Sequence, residues 1–428
     1  MDDKADTIFI VSAHQINFLF AYWSVLSMLT SSAMADDDPT NSSDTFLSRH
    51  WQRPLQHQGE PPASFSALEI SLDPRACGSC HPQQFQDWQG SLHAHAMGPG
   101  LLGQLMDMNP SDRAEHQACL HCHAPLAEQA DELVTLLSPG EPADGNPVED
   151  NIPKGPPYNQ GLICAACHLR NFQVYGPQRN KTLPPLDEDI HLPHNGWKSE
   201  DAFENSQFCA ACHQFEPDGY ALNGKLLENT FKEWQASPQA KEGKSCQSCH
   251  MPGRRHLWRG IHDKATVQSG VEIAVDRIVI THKGINGTLT LTNTDTGHRF
   301  PTYVTPRVVM EAVQLDKAEN PIPETRREQI IARQVTLDLS QELFDTRLAP
   351  GETARLEYQA PMHPQAGSIL FRIQVEPDTF YRDFYRAILD SDSSDKGAET
   401  LRLALRNAEA SVYTLFRRKV LLARNNEP

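Results

Sequence analysis

Apolar residues are distributed in three different ways along the 428-residue chain. Up to about residue 265 they are scattered in short groups, with few runs long enough to define an element. After Pro82, the residues Phe85, Trp88 and Leu92 recur at helical spacing and predict one helix face. Two stretches rich in Pro, Gly and Asp, 139–157 and 176–193, read as surface loops. From Val271 the period shortens to two. Val271-Glu-Ile273-Ala-Val275-Asp-Arg-Ile278-Val-Ile280 alternates in part, and Thr288-Leu-Thr-Leu291-Thr alternates fully. Arg307–Val313 is rich in strand formers, and Ala354–Tyr358 and Ile369–Val375 continue the alternation. Lys283-Gly284, Asn286-Gly287 and Pro350-Gly351 supply turns between them. An antiparallel β-sandwich of immunoglobulin-like size is therefore expected over 270–377. Beyond it, Leu401, Leu405, Ala408, Val412 and Leu415 recur at four-three spacing and predict a helix packed back on the protein.

The fold class expected is α+β. A mainly helical and loop region covers 68–265, the sandwich follows, and 378–428 is a helical C-terminal segment. Residues 36–67, with Pro39, Pro54, Pro61 and Pro62, read as an extended lead-in, in which His50 and His57 are expected at the surface. Residues 1–35 read as a signal peptide. Phe18–Leu29 has the length of its apolar core, and Ala33-Met34-Ala35 is a small-residue cleavage site. Its start departs from the usual basic character, with Asp2, Asp3 and Asp6 against Lys4. No later segment is long and apolar enough to span a bilayer, so no membrane span is expected in the mature chain.

Cysteine explains why the first region is so poorly patterned. The chain has 10 Cys, and five C-x-x-C-H units account for them all: Cys77-Gly-Ser-Cys80-His81, Cys119-Leu-His-Cys122-His123, Cys164-Ala-Ala-Cys167-His168, Cys209-Ala-Ala-Cys212-His213 and Cys246-Gln-Ser-Cys249-His250. This is the attachment signature of haem c. Two thiols at that spacing can bond to the two vinyl-derived carbons of one porphyrin, and the next residue places an imidazole under the iron. A disulfide scaffold or a zinc site has no use for a His after every second Cys. Five covalent haem groups are expected, close enough together that they supply much of the apolar core. Their assembly outside the cytoplasmic membrane fits an exported protein, periplasmic and possibly extracellular.

The formal net charge of −17 disfavours nucleic acid and anionic membrane surfaces as partners and favours redox proteins with basic docking surfaces. Of 19 His, five are proximal. A low-spin carrier needs a second ligand on each iron, and imidazole supplies it. His14 leaves with the signal. His282 and His363 read as a strand and a loop residue, and His121, between two haem-bonding cysteines, is poorly placed for any iron. Five clusters remain: His93/His95, His116, His191/His194, His256/His262 and His298. Five clusters for five irons predict bis-histidine ligation throughout, with His194 preferred to His191. Met97, Met106, Met108 and Met251 are the thioether alternatives, read as packing residues.

The run Cys77–His81 … Trp88-Gln-Gly-Ser91-Leu-His93-Ala94-His95-Ala96 resembles the cytochrome c-554 (c-552/4) group of multihaem cytochromes. There, a W-x-x-S-x-H-A segment carries a distal histidine, which by position favours His93, with His95 next. Thr296-Gly297-His298-Arg-Phe-Pro301-Thr302 resembles a G-H-x-x-P-T segment of related proteins whose His is taken as a haem ligand. In that role His298 would tie the β-region to the haem region. The stretch Cys246–Asp263 is also similar and leaves His256 and His262 open, with His262 preferred. The resemblance implies electron transfer between redox partners. The alternative is catalysis on nitrite, hydroxylamine or a sulfur oxo-species at one open haem. The C-x-x-C-K unit of pentahaem nitrite reductases is absent. Tyr303 is read as a packing or surface residue, and oligomerisation is possible, with His50 or His57 reaching a neighbour's iron.

Overall fold

The computed structural model describes residues 39–108, 113–137, 158–180, 192–281, 283–391 and 396–422. The expected signal peptide, the 139–157 loop, His14, His191 and His282 lie outside the described residues. The fold is α+β, and no helix among the described residues is long and apolar enough to cross a membrane.

The first region is a series of short helices joined by turns. Pro39–His50, Pro82–Gln89, Pro99–Asp107, Arg113–His123 and Ala127–Leu137 are the longer ones. Proline opens several of them, where its missing N–H costs nothing. Side-chain caps start others: Asp73 accepts from Arg75 N, Ser245 from Ser248 N and Asp263 from Thr266 N. Helices this short do not persist alone in water, so packing must hold them. Phe85 and Trp88 share a face of Pro82–Gln89, their rings stacked at 5.9 Å. Trp88 Nε1 donates to Leu162 O at 2.8 Å. Leu92 falls beyond the helix end at Gly90 and is exposed, so the expected three-residue face stops at two. Buried apolar side chains form only small separate groups in this region, around Trp88, Leu126 and Ile163, around Met97, Leu105 and Leu133, and around Phe46 and Ala202.

The second region is two antiparallel sheets with one large shared core. Its main strands are β1 (Val271–Thr281), β2 (Gly284–Asn293), β3 (Arg307–Leu315), β4 (Arg327–Ile331), β5 (Thr353–Ala360), β6 (Ser368–Glu376) and β7 (Tyr413–Leu421). One sheet runs β5-β2-β1 and the other β7-β6-β3-β4. Alternation does what its period predicts: in β5, Ala354, Leu356, Tyr358 and Ala360 point inward and their neighbours outward. Leu291 lies between Ile273 and Ala354, and Phe371 between Ala312 and Arg418. An added Cβ at Gly287 would come within 2.8 Å of the Phe371 ring, so the sheets approach closely there.

The C-terminal segment departs from expectation. Helices Thr379–Asp390 and Ala398–Ala410 form, but Tyr413–Leu421 is the edge strand β7. Leu415, read as the last position of a helical stripe, is buried in the sheet core instead. The stripe ends at Ala408 and packs back, as expected of it: Leu401 and Tyr385 lie against Gly103 and Gly100 of Pro99–Asp107.

A buried ion network joins the two regions. Arg333, 1 % exposed, pairs with Glu342 at 2.9 Å and donates to the carbonyls of Leu222, Lys225 and Leu226. Lys225 bridges Glu342 and Asp345, and Arg347 bridges Asp345 and Glu233. Guanidinium groups suit such sites, because the planar fork matches several acceptors at once.

Candidate haem sites

Each C-x-x-C-H unit occupies one helical turn. Cys164–His168, Gln207–His213 and Cys246–His250 are helices of five to seven residues, and the second unit ends the helix Arg113–His123. The first continues Pro74–Gly78 through a turn in which His81 N donates to Cys77 O at 2.8 Å. Positions i, i+3 and i+4 share a helical face, so both thiols and the imidazole of a unit point the same way. None of the ten cysteines is in a disulfide, so all ten are available to the units.

Hydrogen bonding sorts the histidines into two classes. A carbonyl oxygen only accepts, so a ring nitrogen bonded to one carries the proton, and the other nitrogen keeps its lone pair. His123, His168 and His250 donate from Nδ1 to the carbonyls of Ala96, Tyr175 and Arg259 at 2.6, 2.9 and 2.8 Å. His194, His256 and His298 do the same to Gly196, Arg254 and Arg299 at 2.8, 3.1 and 3.0 Å. Each therefore offers Nε2 to a metal, with its ring fixed from behind. His50, His57 and His262 are reversed: their Nε2 atoms are engaged by Cys167 O, Asp131 and Asp378 at 2.8, 2.7 and 2.9 Å.

Two pairs within the first class, and a third made by His93 and His213, face one another. The ring centres of His93 and His213 lie 6.3 Å apart, those of His168 and His256 6.1 Å, and those of His250 and His298 6.5 Å. An imidazole nitrogen sits about 2.0 Å from a bound transition metal, which puts two imidazoles sharing one ion about 6 Å apart, centre to centre. The residues therefore fit an iron between the members of each pair. His194 is within electrostatic reach of His81, whose pKa falls through burial and then through His194. Burial pushes His93 down to about 3 and His168 and His213 to about 4, so these rings stay neutral and available as ligands at ordinary pH. His123 faces no described imidazole.

Several expected residues are placed differently. His262, preferred on sequence, is tied to Asp378, and His256 takes the position opposite His168. His95 is exposed and makes no ring contact, whereas His93 faces His213. His116 is buried with an unpartnered Nε2, on the same helix as His123 and seven residues before it, so it does not face that imidazole. His50 is not at the surface. It is 3 % exposed, stacked on Phe46 at 4.7 Å, and burial then Arg170 lower its pKa to about 3. His57 is exposed, as expected, and His363 pairs with Glu324.

The position of His256 depends on a residue far away in sequence. Asp87 accepts two hydrogen bonds of 2.6 Å from Arg255 and one of 3.1 Å from His256 N. Nothing in the local sequence signals this pairing. Asp87→Asn leaves Arg255 without its charge partner, and a loss of about 1.5–3 kcal/mol in urea unfolding is expected. A partly high-spin ferric signal from the third unit should accompany it, read by electron paramagnetic resonance.

The thiols show which units are neighbours. Cys77 lies close to Cys164, Cys122 to Cys212, and Cys209 to Cys246. Cys167 acts electrostatically on both Cys209 and Cys212. The units therefore run first, third, fourth, fifth, with the second beside the fourth. Cys80 and Cys249, in the first and fifth units, are the exposed cysteines.

Residues 76–143 match the family model described as cytochrome c554 and c-prime. No curated protein matches the chain. Among solved structures, it is similar to a penta-heme cytochrome c552 from Thermochromatium tepidum, at 16% identity and a TM-score of 0.53, covering 83% of this chain and 100% of that one.

Proposed function

We propose that this chain is a multihaem c-type cytochrome of the c554/c552 group and that it carries electrons through five covalently bound haem c groups, four in a row with the second beside the fourth. Bound haem supplies a one-electron iron couple; the protein sets where each iron sits and how it is ligated. The observation that carries this reading is the set of facing imidazoles 6.1–6.5 Å apart. Thioether bonds come from Cys77/Cys80, Cys119/Cys122, Cys164/Cys167, Cys209/Cys212 and Cys246/Cys249. The axial pairs assigned are His81/His194, His213/His93, His168/His256 and His250/His298, with His123 under the second iron. His262 and His116 have no place in this set. The first and fifth units, exposed at Cys80 and Cys249, suit exchange with separate redox proteins, and the acidic balance favours partners with basic docking faces. Haem c attachment supports export to the periplasm or beyond.

One observation favours a second reading. His123 faces no described imidazole, and Tyr381 lies within electrostatic reach of Cys119 in the same unit. Burial, then Asp378, pushes its phenol up, so it stays protonated beside that unit, and Asp378 in turn holds His262. A vacant iron position beside proton donors suits a small nitrogen or sulfur oxo-species. Titrating the reduced holoprotein with carbon monoxide tests both readings. About one equivalent bound is expected, since His123 faces no imidazole among the described residues. Two or more equivalents would defeat the conducting line. The second reading requires in addition that nitrite or hydroxylamine perturb the same absorption band, and an unchanged band removes it.

A further inference from the structure

His213 is held differently from the other proximal histidines whose Nδ1 is bonded. Where His123, His168 and His250 donate to backbone carbonyls, His213 Nδ1 donates to a side chain, the Tyr303 hydroxyl, at 2.8 Å. Tyr303 reaches it from the turn after His298 with its backbone at φ +65°. A bulky residue rarely occupies that left-handed region unless its surroundings hold it there. The Glu228 carboxyl lies beside the same hydroxyl, close enough for each to shift the other's proton affinity, and it accepts from Thr230 N at 3.1 Å. Glu228 is clamped to the haem unit by its backbone as well. Its carbonyl accepts from Phe215 N at 2.9 Å, and Gln214 Nε2 donates to Asn229 Oδ1 at 3.0 Å. Thus an imidazole is hydrogen-bonded to a phenol that adjoins a carboxyl, and of the three only the carboxyl can take up a proton from solvent near neutral pH.

We propose that Tyr303 and Glu228 couple the uptake of one proton to each electron held at the Cys209–His213 unit, with Tyr303 as the positioning residue and Glu228 as the proton acceptor. This rests on His213 being an iron ligand, as assigned above. The balance is simple. One electron arrives from a redox partner protein and lowers the local charge by one; the Glu228 carboxylate then binds one proton from water and becomes the neutral acid. When the electron leaves, the proton returns to water.

The electrostatics around Glu228 favour this exchange. Glu233, on the helix Thr230–Gln235, faces it with like charge and is itself engaged by Arg347 at 3.2 Å and by Arg299 N at 3.0 Å. Among the described residues no cation forms an ion pair with Glu228. Burial, opposed by the hydrogen bond from Thr230 and by the adjoining Tyr303 hydroxyl, pushes its carboxyl up to about 7, so it titrates where the cell works. Adding an electron nearby raises that value further, and by reciprocity protonation raises the potential of the unit. In the ionised state Glu228 draws on the Tyr303 proton, Tyr303 draws harder on His213 Nδ1–H, and the more basic imidazole favours the ferric form.

The test is a spectroelectrochemical titration of the holoprotein as a function of pH, on wild type, Tyr303→Phe, Glu228→Gln and Glu228→Asp. In wild type one couple should fall as pH rises, by up to a tenfold change in equilibrium constant per pH unit, which is about 59 mV for one electron. The slope should be flat in Y303F and E228Q and partly restored in E228D. Redox-difference infrared spectra should show a carboxylic acid C=O band on reduction that is missing in E228Q. A slope unchanged in both Y303F and E228Q, or a carboxyl band that persists in E228Q, overturns the proposal. Spin-state spectra of the same samples keep the two levels apart. If the four six-coordinate irons stay low-spin while the slope is insensitive to both substitutions, the relay fails and the ligand assignment stands. If wild type lacks those low-spin irons, the ligand assignment is what failed.

Discussion

Made without haem attachment, the chain is expected to keep its sandwich and lose almost everything before it. The sandwich has one continuous buried core, running from Val267 through Leu291, Met310, Tyr358 and Phe371 to Leu422. The described residues of the first region form three small clusters instead, each with three to eight buried apolar residues. Its longest helices have 11–12 residues, a length that is marginal in water without a packed face. Buried polar atoms without partners, such as His93 Nδ1 and His116 Nε2, add to the cost of keeping it closed. What closes it is porphyrin, a large apolar plane fixed to the chain by two bonds and one or two imidazoles. A cytoplasmically expressed, haem-free sample digested briefly with a broad protease should leave a protected fragment beginning near Val271 and ending beyond Leu421. Its helical circular-dichroism signal should fall by more than half. The helices Thr379–Asp390 and Ala398–Ala410 should fray too, because the face they present to Gly100 and Gly103 would be gone. Equal protection of residues 39–265 in haem-free and loaded samples would show that the protein builds its own core there.

The same contrast explains what could be read from the sequence. Alternation in β5 survives into the structure because a strand with one buried face has only one tolerable register, whereas the alternating Thr288–Thr292 run is buried almost throughout, as the central strand β2. The C-x-x-C-H units are legible because covalent chemistry fixes their spacing locally. The distal ligands are not local. His256 is set by Asp87, and nothing within the 246–263 stretch distinguishes it from His262. His50 looked like a surface residue in a Pro-rich leader, but Phe46, Trp51, Tyr175, Phe203 and Phe208 enclose it, and three of those five come from distant segments. At the C-terminus Val412 and Leu415 continued a helical spacing by coincidence. The run Tyr413-Thr-Leu-Phe416 is rich in strand formers, and the open edge of β6 captured it. Tyr303, just past His298, reads on sequence as a packing or surface residue or as a flank of an open haem, and its contact with His213 depends on a turn conformation that spacing does not reveal.

His298→Ala is expected to have two separable effects, because one residue performs two tasks. The turn that carries it is fixed from both sides. Asn293 Nδ2 donates to His298 O at 3.0 Å from the sandwich, and Arg299 N donates to Glu233 at 3.0 Å on the haem side. Gly297 leaves no slack: an added Cβ would lie 3.1 Å from Trp234 and 3.3 Å from Gln239. So positioned, His298 lies nearly parallel to His250, at 14° and 6.5 Å. Truncating it removes a ligand lone pair, and the Cys246–His250 unit should become high-spin in the ferric state and bind about one further equivalent of carbon monoxide. Truncation also removes the bond that crosses between the two regions. The Arg333 and Arg347 networks remain, so the regions should loosen without parting, at a cost of about 2–3 kcal/mol in urea unfolding. Added imidazole tells the effects apart. It should restore the low-spin spectrum by filling the vacant position, yet leave the stability loss untouched, because a free ligand carries no connection to the sandwich. His262→Ala is the control, and its spectrum should match wild type. A low-spin spectrum in H298A, or full recovery of stability with imidazole, would mean that the sandwich is held by its ion network alone and that iron plays no part in joining it to the rest of the chain.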